Sequence, residues 1–154
     1  ETIQWLMFQM GGIGPMFGQV GFFNKFAGKD YEDKRPRDRY VAEARRLLGV
    51  LDERLAGRDW LMGDAYTIAD IATFPWVRNL TGFYEAGELV GIQDFPQVTR
   101  ALDAFVARPA VARGLNIPPR PCTALAAAQR ICVAASRAWR DCRQVVHKLF
   151  HAIC

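Results

Sequence analysis

An all-α helical bundle is the fold class predicted here, and three observations predict it. Apolar residues recur at helical spacing in several separate segments, and none shows the strict alternation of a half-buried strand. Thr67-Ile68-Ala69-Asp70 has the pattern of a capping box, which marks a helix start in mid-chain. Pro36 and Pro96 fall where helices would begin, positions at which a missing N–H costs nothing. With 154 residues and 51% hydrophobic content, the chain can bury a real core. The expected organisation is one helical domain over residues 1–121, then a compositionally different tail over 122–154.

The first helix rests on Ile3, Leu6, Met7 and Met10, which share one face, with Trp5 and Phe8 on its flanks. Gly11-Gly12-Ile13-Gly14-Pro15 is expected to weaken, kink or end it. An aromatic segment from Phe17 to Phe26 and a polar connection over 27–38 follow. The second helix is the clearest, because Val41, Ala44, Leu47, Leu48, Leu51 and Leu55 form a continuous apolar stripe. Glu43, Arg45, Arg46, Asp52 and Glu53 fill its other positions, and Gly57 suits its C-terminal stop. Trp60, Leu61 and Met62 are expected to fold back onto the core.

The third helix starts at the capping box, with Thr67 as N-cap and Asp70 reaching back to its amide. Tyr66 and Ile71 are placed for a hydrophobic staple across that start. Pro75 interrupts the same helix. A central helix, apolar all round through Ile71, Ala72, Phe74, Trp76 and Val77, would tolerate the proline if neighbours packed into the bend. Residues 82–95 read as a loop or broken helix. A last helix begins near Asp94, with Val98, Leu102, Phe105 and Val106 inward, and a short helical turn fits "RPAVARG".

Charge is distributed unevenly. The first 120 residues are formally neutral, and the whole net charge of +4 lies in the tail, where Arg130, Arg137, Arg140, Arg143 and Lys148 face Asp141 alone. A basic pI is therefore no support for a nucleic-acid surface on the main body, and no nucleic-acid partner is expected. No apolar run is long enough for a membrane span, and Glu1 opens into an amphipathic stretch without a basic leader. A cytoplasmic protein is the expectation, and the absence of an initiator Met suggests that the natural product begins upstream.

Cys122, Cys132, Cys142 and Cys154 all lie in the tail, with His147 and His151. His147, His151 and Cys154 would share one helical face and could bind zinc or copper, but a fourth ligand is not evident, and no metal is expected. A disulfide framework conflicts with the compartment. The Arg/Ala/Cys-rich tail reads best as translation in a shifted frame after Pro121. "GGIGPMFG" lacks the strand and lysine of a phosphate-binding loop and reads as close backbone packing. Asp59 and Asp64 flank a turn and are solvated or capping residues.

"YTIADIATFPW", "QWLMFQMGGIGPMFGQ", "RDRYVAEARRLLGVLDERLAGRDWLMGD" and "ARPAVARGLNIP" together resemble the C-terminal helical domain of glutathione transferases. The resemblance is to the nu-class branch of bacterial glutathione-dependent disulfide-bond reductases, and it covers residues 1–121. It implies a thioredoxin-like domain ahead of this one, holding the γ-glutamyl and cysteinyl contacts of glutathione; those residues are not in this sequence. It also implies that Gln4 and Arg39 reach into the glutathione site. An Arg fork can hold one of the two glutathione carboxylates, and Gln4 can donate and accept. Trp5, Phe8 and Met16 are candidates to line an apolar acceptor site for a small electrophile or a disulfide. A homodimer is the default for the family. No catalytic residue is assigned to this chain. A second reading, of a different class, is a stand-alone helical protein-interaction module without catalytic activity.

Overall fold

The computed structural model describes residues 1–117, and within them Glu1–Ala112 form one unit. The described residues are helical, without a strand: α1 (Thr2–Phe8), α2 (Gly14–Lys25), α3 (Arg35–Leu55), α4 (Ile68–Arg78), α5 (Pro96–Ala107) and α6 (Pro109–Gly114). A π turn, Gln9–Ile13, joins α1 to α2, and another, Asn79–Phe83, extends α4. The tail cysteines and both histidines lie outside the described residues, as do the metal and disulfide readings attached to them.

α3 is the central support. It packs against α2 and α5, while α4 packs against α1, α2 and α5. Ala44, Leu47, Leu48, Leu51 and Leu55 form the buried stripe expected of α3. They meet Ile13, Phe17 and Val20 from the first helical stretch, Phe74 and Val77 from α4, and Val98, Ala101 and Phe105 from α5. Gly57, at φ +67°, lies just beyond α3, in a left-handed conformation that glycine adopts without steric cost.

The glycine cluster does not end the first helix. Phe8, Gln9, Ile13 and Gly14 all keep right-handed helical angles, so the chain passes through one wide turn and continues to Lys25. Close packing explains the glycines: a Cβ on Gly12 would stand 3.2 Å from Leu47, and one on Gly14 3.4 Å from Trp76. The face of α1 is also reversed from a simple reading. Ile3, Met7 and Met10 are exposed, at 72%, 58% and 63%, whereas Trp5 and Phe8 pack against the core and Gln9 is buried.

Thr67 caps α4 as the sequence predicts. The Thr67 amide donates to Asp70 Oδ2 at 2.8 Å, and Thr67 Oγ1 accepts from the Ala69 amide at 3.3 Å. Asp70 is fully buried, and its second oxygen accepts the Leu61 amide at 2.9 Å, which fixes the connection from α3. The staple differs from expectation. Tyr66 sets its ring edge-on to Trp60 at 4.8 Å with the Arg108 guanidinium 3.6 Å from its centre, while Ile71 stays 51% exposed.

α4 is not apolar on every side in the sense of being enclosed. Ala69, Thr73, Phe74 and Val77 are buried, but Ile68, Ile71 and Pro75 lie on an exposed face. Pro75 is therefore tolerated on the solvent side, where water can reach the Ile71 carbonyl that it leaves without a donor.

Candidate functional site

The arginines of α3 separate into those with hydrogen-bond partners and one without, among the described residues. Arg35 bonds Asp33, Arg37 bonds Asp38, Arg45 reaches the Val90 carbonyl and Asp94, Arg46 bonds Glu43, and Arg54 reaches the Leu61 carbonyl and Glu1. Arg39 makes no hydrogen bond or ion pair among the described residues. Asp38, its neighbour in sequence, is taken by Arg37 at 2.9 Å.

Arg39 stands at a cleft of about 620 Å³ lined by Met16, Tyr40, Ala42, Glu43 and Arg46 as well. Met16 comes from α2 and the others from α3, so the α2–α3 packing creates the site. Tyr40 is held by stacking on Phe23, with ring centres 5.6 Å apart and planes 19° from parallel. Arg46 grips Glu43 by two bonds, Nε to Oε2 at 2.9 Å and Nη2 to Oε1 at 2.7 Å. The hydrogen bonding to Arg46 first of all holds the Glu43 carboxyl below its usual range; burial opposes it, and the charges of Arg46 and Arg39 add smaller lowering effects.

A guanidinium that bonds no described residue, beside apolar side chains, suits a carboxylate-bearing ligand. Of the residues carried over from the sequence, Arg39 and Met16 meet in this cleft. Gln4 is exposed on α1 and does not line it, and Trp5 and Phe8 are packed against the core. Asp59 and Asp64 are both exposed, with Asp59 3.9 Å from Arg100. Among the described residues no group of His, Cys, Asp and Glu could hold a metal ion, and no helix is long and apolar enough to cross a membrane.

Comparison with known proteins identifies the fold's lineage. Residues 13–109 match the family "Glutathione S-transferase, C-terminal domain". The chain belongs to that family. A glutathione transferase family member from Pseudomonas fluorescens, crystallised with two glutathione bound, is 80% identical with a TM-score of 0.74, over 75% of this chain and 51% of that one. A glutathione transferase from Burkholderia graminis, with two glutathione molecules per subunit, is 79% identical with a TM-score of 0.76, over 79% of this chain and 50% of that one. The disulfide-bond oxidoreductase YfcG of Escherichia coli is 38% identical over 114 residues, 74% of this chain and 50% of its own length. The chain thus spans about half the length of the transferases it matches. These similarities favour the transferase reading over a stand-alone interaction module.

The sequence did not expose Glu43 and Arg46 as cleft residues. Both sit at positions that a helical periodicity assigns to the solvent side, and only the neighbouring Met16 turns that side into a wall.

Proposed function

We propose that this chain is the helical half of a glutathione-dependent enzyme of the disulfide-bond oxidoreductase type, and that Arg39 binds a glutathione carboxylate. The observation that carries this reading is a guanidinium that bonds no described residue at the α2–α3 cleft, in a fold whose relatives hold glutathione. Gln4, on α1 beside the Arg54 end of α3, would serve a polar contact outside this cleft. Activation of the sulfur belongs, on this reading, to a thioredoxin-like domain working with the chain. There a glutathione thiolate attacks one sulfur of a disulfide substrate, the S–S bond breaks, and the other sulfur leaves as thiolate. A small electrophile is the other acceptor class. A cytoplasmic homodimer fits, and the exposed Ile3, Met7 and Met10 stripe supports burial against another chain or domain.

Glutathione titrated into the isotope-labelled chain and followed by NMR tests the role of Arg39. Charge-assisted bonds contribute about 1.5–3 kcal/mol each, so one or two predict a dissociation constant in the millimolar range. Arg39→Ala should weaken binding at least about tenfold. Unchanged affinity in that variant, or no response near Arg39 in the unmodified chain, rejects the assignment. Turnover of a disulfide by this chain alone at ordinary enzyme rates would contradict the division of labour.

A further inference from the structure

The cleft that holds Arg39 also holds an anion, one helical turn away. Glu43 follows Arg39 by four residues on α3, a spacing that puts two side chains on one face with Cβ atoms about 5–6 Å apart. Arg46 approaches Glu43 from the far side and bonds both of its oxygens. This orients the carboxylate without exhausting it, because an ionised carboxylate offers about four acceptor positions and Arg46 takes one on each oxygen. The lowered Glu43 pKa keeps the group anionic at neutral pH. The arrangement is a cation without a hydrogen-bond partner among the described residues, beside an anchored, ionised carboxylate, with Met16 and Tyr40 as apolar surface.

A ligand bearing only negative charge gains from Arg39 but is repelled by Glu43. A ligand bearing only positive charge meets the reverse. A group that carries both charges on one carbon satisfies the two together, and the α-amino acid end of a peptide is such a group. In glutathione that end is the γ-glutamyl residue, whereas the glycine end has a carboxylate alone.

We propose that Glu43, oriented by Arg46, is a specificity-determining residue that selects a thiol peptide or disulfide with a free α-amino acid end, its ammonium on Glu43 and its carboxylate on Arg39. The inference rests on the reading of the cleft as a glutathione site and goes further by naming the end of the ligand that it takes. A thioredoxin-like partner domain would hold the γ-glutamyl group of one glutathione, so the ligand at Glu43 is the acceptor-side peptide. Arg46 acts through Glu43 as a positioning residue.

Two probes decide the matter: glutathione, and glutaryl-cysteinyl-glycine, the same tripeptide without its α-amino group. The unmodified chain should bind glutathione tighter by roughly tenfold, as expected for a charge-assisted bond. Glu43→Gln should abolish that preference by weakening glutathione while leaving the glutaryl peptide unchanged or improved. Arg39→Ala should weaken both. Equal affinity of the unmodified chain for the two probes, or a preference that survives Glu43→Gln, overturns the selectivity of Glu43 while leaving Arg39 as a carboxylate site. Binding of neither probe, or indifference of both to Arg39→Ala, removes the glutathione reading and this inference with it. Glu43 is half-buried and outside the hydrophobic core, and glutamine has nearly the same shape, so Glu43→Gln removes the charge without removing a core contact.

Discussion

Asp70 accepts the amide of Leu61 at 2.9 Å, so one buried carboxylate joins the start of α4 to the connection nine residues earlier. The same carboxylate accepts the Thr67 amide and hydroxyl. Truncation by Asp70→Ala would leave the Leu61 and Thr67 amides without their acceptor, at about 1–3 kcal/mol per group. A loss of about 3–5 kcal/mol in urea unfolding is expected, against about 1 kcal/mol for Thr67→Ala, which removes the weaker half of the box. Equal losses for the two variants would show that the tie to Leu61 contributes nothing.

Asp52 performs a similar service at a distance. Its Oδ1 accepts the amides of Gln97 and Val98, the first turn of α5, at 2.8 and 3.0 Å. The α5 N-cap, Phe95, has no capping side chain of its own, so a residue of α3 supplies the acceptor and a favourable charge at the helix start. Asp52→Ala should cost about 1–2 kcal/mol, with hydrogen exchange faster at Gln97 and Val98 in particular. Asp52→Asn keeps an acceptor oxygen and should cost less. Unaltered exchange at those two amides would refute the cap.

Local patterns were legible in the sequence, and their distant partners were not. Thr67 and Asp70 are three residues apart, so their reciprocal bonds follow from helix geometry alone. Leu61 and Asp70, or Asp52 and Val98, meet only through tertiary packing, and no spacing announces them. The glycine run misled in a different way: Gly12 and Gly14 weaken a helix intrinsically, but here they admit Leu47 and Trp76 and the helix passes through. For Arg39, the motif resemblance pointed to the residue. What sets it apart, that Arg37 occupies Asp38 and Arg46 occupies Glu43, depends on side-chain choices that no periodicity encodes.

Tyr66 confers an alkaline dependence on stability. Burial raises the pKa of its hydroxyl, and the nearby Asp70 charge adds to this, while the Arg108 charge and hydrogen bond oppose it. The folded state therefore keeps the proton at a pH where the unfolded chain has lost it. The Tyr66 contribution is complete below the unfolded value of about 10 and is lost as pH rises from there through the folded value. Tyr66→Phe retains the ring under Arg108 and removes the ionisation. Unfolding measured between about pH 9 and 11.5 should show a flatter alkaline decline in the variant, and parallel curves would reject this origin.

Pro75 offers a test of where α4 faces. A proline inside a helix costs about 3 kcal/mol relative to alanine, even where the helix is exposed, since its ring crowds the carbonyl four residues earlier and supplies it no N–H. In this chain that carbonyl belongs to Ile71, and Ile71 and Pro75 are both exposed, so the carbonyl is open to water. The helical backbone continues past the proline through Arg78 into the π turn, and Asn79 keeps helical angles. Pro75→Ala should consequently stabilise the chain by up to about 3 kcal/mol, read from the urea midpoint at constant slope. A gain well above that value would mean that the Ile71 carbonyl is starved of partners, and that this side of α4 is covered in solution by something that excludes water.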